Sequence, residues 1–113
     1  MAPSTPPPVS RLLAAANRHD TAGFLACFTD DGVVDDWGRE FVGHDAIRGW
    51  SDAEFIGVEV RLDVVEVTDA DADANVGSPV TIEARVGGNG FNGPSHFTFT
   101  VADDHVTRMQ IRA

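Results

Sequence analysis

Val80-Thr81-Ile82-Glu83-Ala84-Arg85-Val86 alternates apolar and polar residues without a break, the period of two that marks a strand with one buried face. Further along, Phe97, Phe99 and Val101 alternate with His96, Thr98 and Thr100, and Gly87-Gly88-Asn89-Gly90 between the two runs reads as a hairpin connection. Upstream, Val58, Val60, Leu62 and Val64 alternate with Glu59, Arg61 and Asp63. The phase then slips, because Val65 and Val67 are the next apolar members, and this predicts a bulge near Val64. The closing run, from about Val106 to Arg112, sets Met109 and Ile111 on one face and Arg108, Gln110 and Arg112 on the other.

The first half has a different period. Val9, Leu12, Leu13 and Ala16 fall at i, i+3, i+4 and i+7, one stripe of a helix reaching about His19. Asp20 is placed to cap a second, short helix burying Phe24, Leu25 and Phe28, with Asp30-Asp31-Gly32 as the turn that stops it. Short strands are predicted at Val33 to Trp37 and Arg39 to Val42. A third helix is predicted from about His44 to Glu54, with Ile47 and Trp50 on one face. Helices followed by long antiparallel strands define an α+β domain, N-terminal helices packed on a curved antiparallel sheet. The outer face of that sheet carries Glu59, Arg61, Asp63, Glu83, Arg85, Thr98, Thr100, Arg108 and Arg112, charges able to pair across strands or to meet a second copy.

Composition narrows the partners. A chain of 113 residues has room for one domain, read here as 9–113 behind a disordered or polyproline-II lead at 1–8 that contains four prolines. Its 18 acidic residues outnumber 8 basic ones, all arginine, for a formal net charge of -10. Without clustered positive charge, nucleic acid and anionic membranes are poor partners. No apolar run approaches the roughly 20 residues of a membrane span. Cys27 is the only cysteine, so no intrachain disulfide forms, and a cytoplasmic location is expected.

Several motifs fail on context. Gly88-Asn89-Gly90-Phe91-Asn92-Gly93 matches the dinucleotide fingerprint, yet Pro94 and another strand follow it where a helix N-terminus is required. Asp69, Asp71 and Asp73 alternate like a calcium loop, but Ala74 and Val80 stand where the tight-turn Gly and the bidentate acid belong. The histidines at 19, 44, 96 and 105 lack metal-ligand spacing, so no metal and no cofactor is expected. Asp35-Asp36 is different. Alternation turns Val33, Asp35 and Trp37 to one side and Val34 and Asp36 to the other, so one carboxylate must face the apolar interior. There its charged form is penalised, which suits a proton acceptor near neutral pH.

Phe28-Thr29-Asp30-Asp31-Gly32-Val33-Val34-Asp35-Asp36, Phe41-Val42-Gly43-His44-Asp45-Ala46-Ile47 and Val106-Thr107-Arg108-Met109-Gln110 make the chain resemble the nuclear-transport-factor-2-like superfamily. Within it the resemblance is to the ketosteroid isomerase and SnoaL-like polyketide cyclase families. It implies a cone, with the sheet curled around an internal pocket. It also implies Asp36 as the proton-shuttling base, with Trp50, Val80 and Met109 at pocket-lining positions; Val34, Trp37, Phe97 and Phe99 join them as candidates for binding a small apolar molecule. Ketosteroid isomerase holds its oxyanion with a Tyr and a protonated Asp. This chain has no Tyr: Leu12 and Phe97 occupy the matching positions, leaving Trp37, Trp50 or His96 as replacement donors. His96 is accordingly the second candidate catalytic residue, although alternation sets it opposite the Phe face. The expected function is an isomerase or cyclase. The alternatives are a non-catalytic ligand-binding or dimerisation module, and an epoxide-type hydrolase in which Asp36 activates water. Those hydrolases use an Asp-Arg-Asp arrangement, for which alternation supplies no inward Arg. A homodimer through the outer sheet face completes the expectation.

Overall fold

The computed structural model describes residues 7–69, 79–90, 92–102 and 104–112. Residues 1–6 of the lead expected at 1–8, and the acidic alternation at Asp71 and Asp73, lie outside them; Pro7 and Pro8 belong to a helix. Helix α1 spans Pro7–Asn17 and buries Val9, Leu12, Leu13 and Ala16 as the stripe requires. It starts slightly earlier than expected, because Pro7 and Pro8 fit a first helical turn, where the missing N–H donors have no intrahelical acceptor to lose. Helix α2, Thr21–Ala26, is capped by Asp20, whose Oδ1 accepts from the Gly23 N–H at 3.0 Å. That bond, followed by the Arg18 guanidinium, holds the Asp20 carboxyl below its ordinary value.

Strand β1 runs Phe28–Asp36, followed by β2, Arg39–Val42. The sequence expectation is corrected here. Asp30-Asp31-Gly32 does not end a helix; it sits inside β1, where the register against the final strand breaks between Phe28 and Val33. The irregularity hides the strand's true start from a period-two reading. Helix α3 is His44–Glu54, leading through a 3-10 turn at Ile56–Val58 to β3, Arg61–Asp69. Val58 is therefore in a turn and not in the strand, because Glu59 adopts the left-handed conformation at φ 57. Strands β4 (Pro79–Gly87), β5 (Gly93–Ala102) and β6 (His105–Arg112) complete the sheet.

The sheet has six strands in the order β2-β1-β6-β5-β4-β3 and is curved without closing. It is mixed and not wholly antiparallel: β1 lies parallel to β6, with Val34 opposite Met109 and Asp36 opposite Ile111. Alternation carries no information about strand direction, so that correction could come only from pairing. The bulge expected near Val64 is present as a register shift between Val64 and Glu66, and it leaves Val64 and Val65 exposed. Sidedness elsewhere follows the pattern. Val80, Ile82, Phe97 and Phe99 are buried, whereas Thr81, Glu83, Thr98 and Thr100 are less covered. Helix α1 covers β3, β5 and β6, and α3 covers β1 and β2, so the helices lie over the concave face. Each fully buried ring there removes enough apolar surface to stabilise by about 2–3 kcal/mol.

Candidate functional site

At the end of the sheet where β1, β4 and β6 finish and β3 and β5 begin, the helical layer does not seal against the strands. A cavity of about 390 Å³ remains. Its roof comes from the last turn of α3 and the 3-10 turn, with Trp50, Glu54, Phe55 and Val58, and its floor from Val60, Val86, Ser95, Phe97 and Ile111. Trp50 is locked in place by stacking on Phe55 at 4.9 Å between ring centroids, with Phe41 at 6.1 Å.

The polar end of the cavity is built by a two-residue hairpin. Asp36 and Arg39 are directly opposed, and Trp37 and Gly38 between them both have positive φ, 55° and 89°, the twist a tight hairpin needs. This opposition places Arg39 beside Asp36 Oδ2, which also accepts the Trp50 indole N–H at 3.0 Å. Arg39 reaches on to Glu54 with two further bonds, at 2.7 and 3.1 Å. The outcome is a carboxylate, a guanidinium and a second carboxylate in a row along the cavity mouth. Glu54 beside it, followed by Asp36, pushes the Arg39 guanidinium above its ordinary value, and Arg39 in turn holds the Glu54 carboxyl below its own. Among the described residues, no hydrogen bond falls on Asp36 Oδ1.

Asp36 does face inward with Val34. Its surroundings are not the purely apolar ones anticipated: its side chain is 14% exposed and held by a cation and an indole. Asp35, on the opposite face, is the more buried carboxylate at 7%. It accepts from the Gly38 N–H at 2.7 Å, from Arg108 at 2.7 Å and from Arg112 twice at 3.2 Å. Arg112 chiefly, helped by Gly38 and Arg108, holds its carboxyl below the ordinary value despite burial.

The other candidates divide. Trp37, Trp50 and Phe97 line the cavity with Asp36, Trp37 as a 60% exposed residue of the hairpin turn. Val34, Val80, Phe99 and Met109 point inward but are covered by the core and do not reach the cavity. His96 lies on the outer face, half exposed and 3.7 Å from Glu83. Leu12 is fully buried and offers no donor. Arg39, Glu54 and Ser95 escaped sequence reasoning. Arg39 was accessible from the hairpin, since a two-residue turn at Trp37-Gly38 opposes it to Asp36. Ser95 was accessible from its phase with Phe97 and Phe99. Glu54 required the docking of α3. Among the described residues, no group of three or more His, Cys, Asp or Glu could hold a metal ion, and no helix is long and apolar enough to cross a membrane.

Helices over a curved six-stranded mixed sheet, with a cavity at one end, constitute the nuclear-transport-factor-2-like fold. The chain belongs to the SnoaL-like domain family, whose model matches residues 9–109. A protein of Sinorhizobium meliloti assigned as a polyketide cyclase is similar in structure, with 26% identity, TM-score 0.81 and coverage of 96% of this chain and 95% of that one. A Mycobacterium tuberculosis protein in complex with estradiol-17β-hemisuccinate has 17% identity and TM-score 0.76, covering 96% and 93%. The orange carotenoid protein of Anabaena (Nostoc), binding canthaxanthin, has 17% identity and TM-score 0.82; there 96% of this chain covers 36% of the other. No curated protein matches the sequence.

Proposed function

We propose that this chain binds a small, largely apolar molecule in the cavity and moves a proton on it, with Asp36 as general base, as an isomerase or cyclase does. The observation that carries the reading is the position of Asp36: its carboxylate lines the cavity, aimed by the Trp50 indole and flanked by Arg39. Because Glu54 binds Arg39 through two bonds, the guanidinium can release Asp36 and stay paired. The carboxylate is then free to take a proton from a carbon next to a carbonyl. The C–H electron pair moves onto the carbonyl oxygen, Arg39 neutralises the enolate, and Asp36 returns the proton at the same or a neighbouring carbon. Arg39 thus supplies the donor that Leu12 and Phe97 lack. His96, on the outer face, has no part in this scheme.

Deuterium exchange tests the proposal without a known substrate. Cyclic ketones incubated with the protein in D₂O gain deuterium at the α-carbon, followed by mass spectrometry. Asp36→Asn lowers the rate on the order of 100-fold or more, with ligand affinity little changed. Exchange undiminished in Asp36→Asn removes the central claim, and ligand binding with no exchange in either protein leaves a binding module. A second reading, water activation by Asp36 in an epoxide-type hydrolysis, is favoured by one feature: Arg39 sits between two carboxylates. Uptake of ¹⁸O from labelled water into a diol product would single it out. A cytoplasmic homodimer formed through the outer sheet face belongs to the same proposal. Its support is the pairing capacity of that face and the size of a 12.1 kDa chain, which buries little surface alone.

A further inference from the structure

Ser95 interrupts the apolar inner face of β5. It lies in phase with Phe97 and Phe99 on β5, opposite Ala84, and is only 3% exposed. It lines the cavity, and among the described residues nothing hydrogen-bonds its Oγ. A hydroxyl held in an apolar wall without a protein partner is satisfied only by what occupies the cavity. Alanine or valine at this place would have continued the apolar face with no such demand.

The register fixes where this hydroxyl sits relative to Asp36. Ile111 is opposite Asp36 on one side and opposite Phe97 on the other, and Ser95 is two residues along from Phe97. Two strand spacings and one two-residue step separate the two backbone positions by roughly 12 Å. The cavity between them is walled by Phe97, Ile111, Val60 and Val86. An apolar body the length of two or three fused rings bridges such a span.

We propose that Ser95 is a ligand-anchoring residue, so that the occupant is an apolar molecule carrying a hydroxyl or carbonyl at the end remote from the group that Asp36 acts on. The inference rests on the cavity being the ligand site, and it adds the second polar end of the ligand. A serine hydroxyl both donates and accepts, so either oxygen function is recognised.

The test uses two fluorescent probes that differ in one hydroxyl, 6-acetyl-2-naphthol and 2-acetylnaphthalene, titrated against the same protein. Wild type binds the naphthol about 5- to 10-fold more tightly, the usual worth of one added hydrogen bond. In Ser95→Ala the preference collapses to about 1- to 2-fold with affinity for 2-acetylnaphthalene retained, and Ser95→Thr keeps the preference. A naphthol preference that survives in Ser95→Ala overturns the proposal, because the hydroxyl is then read elsewhere, Asp36 included. Equal binding of both probes to wild type also overturns it, leaving the ligand site standing. Failure of both probes to bind wild type sinks this inference and the cavity's role as the ligand site together.

Discussion

Two adjacent carboxylates, Asp35 and Asp36, should lose very different amounts of stability on the same change to asparagine. In Asp35→Asn the side chain stays in a nearly closed site facing Arg108, Arg112 and the Gly38 N–H. Its amide nitrogen can accept from neither guanidinium, and Arg112 loses its carboxylate partner while Arg108 keeps only Glu40 at 2.8 Å. Breaking a buried pair from one side costs up to 3–5 kcal/mol, and the retained Glu40 contact brings the expectation to about 3 kcal/mol. For a domain of this size that lowers Tm by roughly 12 °C. In Asp36→Asn the Trp50 bond survives on the amide oxygen and Arg39 remains on Glu54. The lost pair is with an arginine that is 53% exposed, so the cost stays below about 1 kcal/mol. Thermal unfolding by circular dichroism at pH 7 separates the two. The acid limb adds a second check. The folded carboxyl of Asp35 lies below its ordinary value, so its contribution is complete above the unfolded value of about 4 and is lost as pH falls through the folded one. The Tm gap between wild type and Asp35→Asn should therefore narrow below about pH 4. A Tm loss in Asp36→Asn that equals or exceeds that of Asp35→Asn would refute the reasoning, as would a gap that widens in acid.

Gly88 has φ +123°, and a Cβ there would meet the Glu59 carbonyl oxygen at 2.6 Å. Gly88→Ala should therefore cost about 2 kcal/mol or more, read by urea unfolding, and wild-type stability would show that the hairpin simply shifts away. The outer-face homodimer predicts a species of twice the chain mass in sedimentation at micromolar concentration. Arg85→Glu should shift it toward monomer, and a wild-type protein that is monomeric throughout that range ends the idea.

Binary patterning alone determined much of this molecule. The stripe of Val9, Leu12, Leu13 and Ala16, the cap at Asp20, the inward set of Val80, Ile82, Phe97 and Phe99, and the bulge at Val64 are local or period-bound features. A residue's face is set by its own phase in the chain. The side taken by Asp36 belongs with them. What phase cannot encode is partnership across long sequence separations. The parallel pairing of β1 with β6, the burial of Asp35 under Arg108 and Arg112, and the reach of Arg39 from Asp36 to Glu54 each join segments brought together only by the folded sheet and the docked α3. The same limit explains why Val34, Val80, Phe99 and Met109 share the inward face with Phe97 yet lie away from the cavity. Which part of an apolar face stays open depends on where the helical layer stops, and that is decided by packing in three dimensions.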